Sequence, residues 1–129
     1  MTAPIRSTVP IFDDVVMPNG TKTSPASGGV YGGTGPWVDV RDKNGGTLAW
    51  MVRNFASAPG VQGQFTIQIS DSPSSGNVAD LWSGGGDTGS GSETTGVCEL
   101  PATASYVRML AYGNTTNAVV FHCNLFAKA

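Results

Sequence analysis

The chain has 129 residues, of which only 12% are charged, and its formal net charge is −2 at neutral pH. This length fits one domain with a real core, and the charge gives no electrostatic drive toward nucleic acid or acidic lipid. No stretch approaches the roughly 18 apolar residues of a membrane span, and the N-terminus lacks the apolar core of a signal peptide. We therefore expect no nucleic-acid or membrane partner and synthesis in a cytosol.

The N-terminal third predicts an extended arm. Residues 1–35 contain four prolines and many glycines without a steady period, so we divide the chain into an arm at 1–35 and a β-sandwich domain at 36–129. One short strand is expected near Ile11–Met17, which either lies along a neighbouring subunit or pairs at the edge of its own sandwich. The apolar residues expected to contact a partner are Ile5, Val9, Ile11 and Phe12.

From Trp37 onward the apolar residues alternate with polar ones, which is typical of strands. The segment Asp42–Gly46 contains Asn-Gly and predicts a tight hairpin. The clearest strand is QFTIQIS, with Phe65, Ile67 and Ile69 facing inward and the intervening Thr, Gln and Ser facing outward. NVADLW predicts either a short edge strand or one helical turn, and TTGVCEL predicts a further strand.

The closing segment AVVFHCNLFAKA is apolar on both faces. Its inward set is Val119, Phe121, Cys123 and Leu125, and its outward set is Val120, His122, Asn124 and Phe126. A strand that is apolar on both sides is usually buried on both sides, so Val120, His122 and Phe126 are candidates for a subunit interface. In total about eight strands are predicted, with no convincing helix. This pattern indicates an all-β fold, an antiparallel, jelly-roll-like β-sandwich.

Asp87-Thr88-Gly89-Ser90 spells the aspartic-protease triplet with its usual serine. Such an enzyme must hold two carboxylates rigidly so that they share a proton. Here four small residues, Ser83-Gly84-Gly85-Gly86, precede the aspartate and cannot position it. The composition favours a mobile polar loop between two strands instead.

Other chemical signals are weak. Asp42 begins an Asp-x-Asn-Gly run that resembles a calcium loop, but Val40 occupies a ligand position and no closing Glu follows. The lone histidine, His122, belongs to no cluster of cysteines or carboxylates in the sequence and makes a poor metal site. Asp13 and Asp14 are adjacent strand residues, which point to opposite faces and would not share a proton. We therefore predict no catalytic residue, cofactor or metal.

The aromatic residues and the cysteines leave alternatives open. A sugar-stacking platform and ordinary core filling are both compatible with the set Trp37, Trp50, Trp82, Tyr31, Tyr106 and Tyr112, and core filling is favoured. The two cysteines, Cys98 and Cys123, lack CxxC spacing. They predict buried free thiols in a reducing cytosol, although a disulfide is possible if their strands are adjacent.

Residues 46–129 resemble the tailed-phage capsid cement (decoration) proteins. The resemblance is carried by FTIQISDSPSSGNVADLW, by SYVRMLAYG and by the closing AVVFHCNLFAKA. It implies a jelly-roll-like sandwich on the exterior of an icosahedral capsid, bound across major capsid subunits, often as a dimer or trimer. The alternative is a carbohydrate-binding or tail-associated adhesion module.

Overall fold

The structure is a computed structural model that describes residues 6–17, 33–74 and 77–128. All regular structure in these ranges is β-strand. The strands are β1 (Arg6–Met17), β2 (Gly33–Thr34), β3 (Val38–Asp39), β4 (Gly46–Asn54), β5 (Gln64–Ser70), β6 (Val78–Gly85), β7 (Glu93–Leu100), β8 (Tyr106–Tyr112) and β9 (Val119–Lys128).

The strands form two antiparallel sheets. One has the order β1-β9-β4-β7, and the other has the order β2-β8-β5-β6, with β3 also paired to β8. Since β5 occupies one side of β8 throughout, β2 and β3 lie end to end along its other side, and each sheet is four strands wide. The chain thus folds back on itself in nested pairs, β1 with β9, β2 and β3 with β8, β4 with β7, and β5 with β6. This is the jelly-roll arrangement, and the predicted fold class is confirmed.

The core lies between the sheets and follows the predicted alternation. The inward residues of β9 (Val119, Phe121, Cys123 and Leu125) are fully buried, as are Phe65 and Ile67 of β5 and Val107 and Met109 of β8. Trp50 packs on Phe65 with ring centroids 4.8 Å apart. Burial of this apolar surface is the main favourable term for folding.

Strand β1 is longer than predicted and belongs to the sandwich. It pairs with β9 from Arg6 to Met17, and two bulges each insert one extra residue, so twelve residues oppose ten. The first bulge turns the consecutive residues Ile11 and Phe12 into the core, where they are 3% and 4% exposed. An extended arm does not describe residues 6–17; the rest of the predicted arm, apart from Gly33, Thr34 and Gly35, lies outside the described residues.

Two local predictions need correction. Asp42–Gly46 does not form a hairpin, because β3 and β4 belong to different sheets and the segment crosses between them. Gly45 and Gly46 have φ values of 70° and 152° and pass close to other backbone atoms, so they permit the crossing. The segment NVADLW forms the edge strand β6, which was one of its two predicted states.

The outward residues of β5 are more buried than expected. Thr66 and Ser70 are only 1% and 6% exposed, although they point away from the core. The Thr66 hydroxyl lies 3.0 Å from the hydroxyl of Ser83 and 3.4 Å from that of Tyr112. A buried hydroxyl with such partners avoids the cost of an unmade hydrogen bond.

Both cysteines are free thiols, as predicted. Cys98 lies opposite Leu48 and Cys123 lies opposite Trp50, so the two belong to strands on either side of β4. Two strand spacings separate their backbones by about 9.6 Å, which exceeds the roughly 7 Å limit for a disulfide. Burial raises the pKa of Cys98 to about 11 and that of Cys123 to about 12.

Candidate functional site

The outer face of the β1-β9-β4-β7 sheet carries a shallow depression, which we call the outer groove. It has a volume of about 360 Å³ and crosses β9, β4 and β7. It is lined by Ala49, Trp50, Met51, Thr95, Gly96, Val97, His122, Asn124 and Phe126. Apart from His122, none of these residues carries a charge at any accessible pH, so the groove is a largely apolar surface with a few polar groups.

The register of three strands assembles the groove. Met51 of β4 lies opposite His122 of β9 and Thr95 of β7, which places their side chains in one row across the sheet. Ala49, between Asn124 and Val97 in the next row, is too small to fill the centre. Gly96 faces the core, where a β-carbon would lie 2.3 Å from the Trp50 indole.

Charged residues lie at the two ends of this face. Arg53 lies opposite Glu93 at one end of the β4–β7 pair. At the other end, the Thr47 hydroxyl donates a hydrogen bond to a Glu99 carboxylate oxygen at 2.9 Å. Between these ends lie the rows of Ala49 and Met51, with Val97 61% exposed. Phe126, which is 51% exposed, lies opposite Thr47 at the Glu99 end. An apolar centre with a polar rim is the arrangement of a protein–protein contact surface.

The structure separates the predicted interface residues into two groups. Phe126 and His122 line the outer groove, so these two side chains are available to a partner. Ile11, Phe12 and Val120 are at most 4% exposed, and Val9 packs partly buried against the core. These four contribute to the chain's own fold instead. Ile5 lies outside the described residues.

Sequence reasoning missed Val97 and Met51 as groove residues. Val97 lies in ETTGVCEL, whose exposed positions alternate with half-buried ones. The sequence did carry a signal, because the period of two places Val97 on the same face as Thr95 and Glu99 and therefore outward. Met51 had no comparable signal, since its contribution depends on which strands flank β4.

A second feature borders the outer groove at β1. The second β1 bulge sets Asp13 and Asp14 against the single residue His122, because Phe12 pairs with Cys123 and Val15 pairs with Phe121. Asp14 has a positive φ of 47°. The His122 Nδ1 atom lies 3.3 Å from Asp14 Oδ1 and 3.6 Å from Asp13 Oδ1. We call these three residues the acid–histidine cluster.

This arrangement corrects two inferences from the sequence. Adjacent residues of a regular strand point to opposite faces, but the bulge brings both carboxylates to the side of His122. His122 therefore does have a carboxylate cluster, with all donor atoms within 4.8 Å of one another. The doubled residues Ile11-Phe12 and Asp13-Asp14 break the period of two. That break does not say which residue of another strand the bulge lies against.

Asp87, the predicted protease-like aspartate, stabilises its own loop between β6 and β7. Its carboxylate accepts hydrogen bonds from the Gly89 backbone N–H at 2.9 Å and the Ser92 hydroxyl at 2.8 Å. The buried Asn54 amide donates to the backbone oxygens of Asp87 and Gly89, both at 2.9 Å. These hydrogen bonds fix the conformation of the loop, whereas the sequence predicted a mobile one.

The same hydrogen bonds, first that from Gly89 and then that from Ser92, lower the pKa of Asp87. Asp87 therefore accepts hydrogen bonds within its own loop and contributes to the local structure of that loop. The loop geometry explains why small residues surround Asp87.

The aromatic residues do not form one platform within the described part of the chain. Trp50 packs on the core, Tyr106 and Tyr112 are each 8% exposed, and the Arg108 guanidinium lies 4.2 Å above the Trp37 ring. Trp82, at 44% exposure, stands on β6 in the other sheet. Trp50 packs against the main core, whereas Tyr106 and Tyr112 are buried outside that cluster, Tyr112 together with Leu110. Tyr31 lies outside the described residues.

The calcium-like segment is engaged in ion pairing. Asp42 pairs with Lys43 at 3.6 Å. The neighbouring Asp39 accepts two hydrogen bonds from the Arg41 guanidinium at 3.0 and 2.7 Å. That side-chain contact, followed by a bond from the Arg41 backbone N–H, lowers the pKa of Asp39 to about 2.

The fold and the outer groove together define a jelly-roll β-sandwich with an apolar surface on one sheet. Comparison with known proteins finds similar structures but no matching sequence. No family model matches the chain, and a search of curated proteins found no matching sequence. In the described part of the chain no helix is long and apolar enough to cross a membrane.

Solved structures share the sandwich. The K1 cleaved adhesin domain of Lys-gingipain from Porphyromonas gingivalis W83 superposes with a TM-score of 0.54 at 13% identity, covering 97% of this chain and 99% of that domain. The K3 adhesin domain of the same protein gives 0.51 at 16% identity, covering 71% of this chain and 60% of that one. A structure of infectious bursal disease virus, Gx strain, gives 0.47 at 10% identity, over 99% and 38% of the two chains. At these identities the likeness of the two adhesin domains shows the fold alone.

Proposed function

We propose that this chain is a non-enzymatic virion protein of the capsid cement class, which binds across neighbouring major capsid subunits through the outer groove. The observation that carries the proposal is a set of exposed apolar side chains on one sheet face. Val97, Phe126 and Val16 are each more than half exposed on the outer face of the β1-β9-β4-β7 sheet. A solvated face of an antiparallel sheet normally carries polar residues.

The chemistry of this face suits a protein partner. The groove has apolar floor residues, and Arg53, Glu93 and Glu99 lie toward its ends. Depletion of charge at the centre and polar groups at the rim are typical of interfaces. The overall charge content of 12% also suits a protein that lies against another protein.

A cement protein gains from simultaneous contacts. When one molecule or oligomer engages several capsid subunits, linkage of weak contacts multiplies affinity by about 10²–10⁴. Because it binds only the mature lattice, it stabilises that lattice by mass action. We propose a homodimer or homotrimer at the capsid exterior, made in the host cytoplasm and added after head expansion.

The test is quantitative mass spectrometry of the purified particle. We expect hundreds of copies of this chain, in a fixed ratio to the major capsid protein. A few copies, or copies confined to the tail, would exclude a cement role. Val97→Asp should reduce occupancy on the particle, whereas the matched change Val78→Asp on the opposite sheet, at a valine that is 46% exposed, should leave it unchanged.

A carbohydrate-binding or adhesion role is the second candidate, and the shape of the outer groove favours it. Asn124, Thr95 and His122 present polar groups around an open depression with Phe126 at its edge. Polar groups beside an aromatic ring can hold a sugar. Glycan-array binding that is lost on Asn124→Ala and Phe126→Ala, but retained in Trp82→Ala, would place this role ahead. Normal capsid association without glycan binding would remove it.

A further inference from the structure

The acid–histidine cluster has spacings longer than those of a charge-assisted hydrogen bond. The His122 Nδ1 atom stands 3.3 and 3.6 Å from the two aspartate oxygens, whereas a charge-assisted N–H···O bond is about 2.7–2.9 Å long. The Nδ1 atom is also buried and has no hydrogen-bond partner. A buried ring nitrogen without a partner is costly unless something else satisfies it.

The two nitrogen–oxygen spacings fit donors arranged around a metal ion, and all three donor atoms lie within 4.8 Å of one another. In a tetrahedral zinc site, ligand atoms about 2.1 Å from the ion are about 3.4 Å from one another. The two carboxylates are 75% and 62% exposed, so they can rotate toward an ion without displacing core residues. We propose that Asp13, Asp14 and His122 bind one divalent cation of the zinc class, with the His122 Nδ1 atom and one oxygen of each carboxylate as ligands.

The donor set selects the class of ion. An imidazole nitrogen suits zinc and its first-row neighbours, whereas magnesium and calcium prefer oxygen ligands alone. Two carboxylates and a neutral imidazole carry a charge of −2, which one divalent ion neutralises. The ion would thereby relieve the repulsion between two carboxylates that the bulge holds side by side.

Three protein ligands leave a fourth position of a tetrahedral ion open. Because His122 also lines the outer groove, the ion lies at the border of the proposed docking face. Its open position binds water or a donor group of whatever occupies the groove. Binding of the ion does not depend on the identity of that partner. The proposed metal site is therefore independent of the cement role.

Other donors of the described residues compete weakly. The thiol of Cys123 is buried in the core and Cys98 packs against that core, so neither faces the acid–histidine cluster on the outer face of the sheet. The Asp39 carboxylate is occupied by Arg41. A stoichiometric site for a zinc-class ion is therefore expected at the acid–histidine cluster.

The experiment uses the full chain, stripped with a chelator and titrated with ZnCl₂. His122 is the single histidine of the sequence, so its ring proton signals in an NMR spectrum report on this site without ambiguity. We expect one Zn²⁺ per chain by calorimetry, a shift of the His122 ring signals on the same titration, and a raised Tm. MgCl₂ at the same concentrations should not move the ring signals.

The variants separate ligation from folding. Asp14→Asn and Asp13→Asn keep the shape of each side chain, and Asp14→Gly suits the positive φ at this position. Each should weaken Zn²⁺ binding at least about tenfold with the fold intact by circular dichroism. Asp42→Asn removes an equal charge elsewhere and should bind like the wild type. The proposal would be overturned if Asp14→Asn and Asp14→Gly bound Zn²⁺ as tightly as the wild type. It would also be overturned if the wild type did not bind Zn²⁺, or bound it without a shift of the His122 signals.

Discussion

The substitution Phe12→Ala tests whether β1 is part of the core or an arm that docks elsewhere. Phe12 is 4% exposed and its ring lies against Gly35, where even a β-carbon would come within 2.8 Å of the ring. Removal of a buried phenylalanine ring costs about 3–5 kcal/mol, because transfer energy is lost and a cavity remains. That is a large part of the roughly 5–15 kcal/mol that stabilises a typical domain.

The loss converts into a large shift of melting temperature. With about 2.1 cal/mol/K of unfolding entropy per residue, 129 residues give about 0.27 kcal/mol/K. A loss of about 3–5 kcal/mol therefore lowers Tm by about 11–18 °C. The matched control is Val16→Ala on the same strand, where the valine is 53% exposed and the cost should not exceed about 1 kcal/mol.

Scanning calorimetry of the isolated chain measures both variants, and urea unfolding gives the free energies independently. We expect Phe12→Ala to lower the free energy of unfolding at least about three times as much as Val16→Ala does. If the two variants melt within a few degrees of each other and of the wild type, the ring of Phe12 is not packed in the sandwich and β1 is an arm after all.

Three further predictions concern the interior, the β6–β7 loop and the thiols. Gly96→Ala should cost about 1–3 kcal/mol in urea unfolding, since its methyl would lie 2.3 Å from Trp50; a neutral effect would contradict the position of that indole. The pKa of Asp87 is lower in the folded chain than its ordinary value, so its contribution to stability is complete above the unfolded pKa and is lost as pH falls through the folded one. Asp87→Asn should therefore flatten the pH dependence of the unfolding free energy between about pH 5 and 2, and an unchanged slope would refute this. Without reductant, both Cys98 and Cys123 should be alkylated in urea but only slowly at pH 8 in the folded chain; rapid labelling when folded, or no labelling in urea, would contradict buried free thiols.

Much of the fold could be predicted because its strands bury one face regularly. The inward residues of β5, β8 and β9 alternate strictly, and a period of two reports strand and face together. The jelly-roll class followed from the number and spacing of such strands. The Asp42–Gly46 segment was mispredicted because Asn-Gly reports a local turn, whereas the partners of the flanking strands depend on the whole topology.

The candidate site was less accessible to sequence reasoning because it depends on register. Phe126 and His122 were predicted from the two apolar faces of β9, a local property. Met51 joins the outer groove only because β4 lies between β7 and β9. The acid–histidine cluster requires a bulge in β1 that lies against one residue of β9, about 110 positions away in the chain. A pairing between strands so far apart in sequence cannot be read from either strand alone.

Side-chain footprinting on the purified particle tests the docking face most directly. Hydroxyl-radical labelling of the free chain and of the particle-bound chain compares Met51 and Phe126, in the outer groove, with Trp82 on the opposite sheet. The account predicts that Met51 and Phe126 lose labelling on the particle while Trp82 keeps it. Labelling of Met51 and Phe126 that is equal in both states, or protection of Trp82 alone, would contradict the claim that this chain docks through the outer groove.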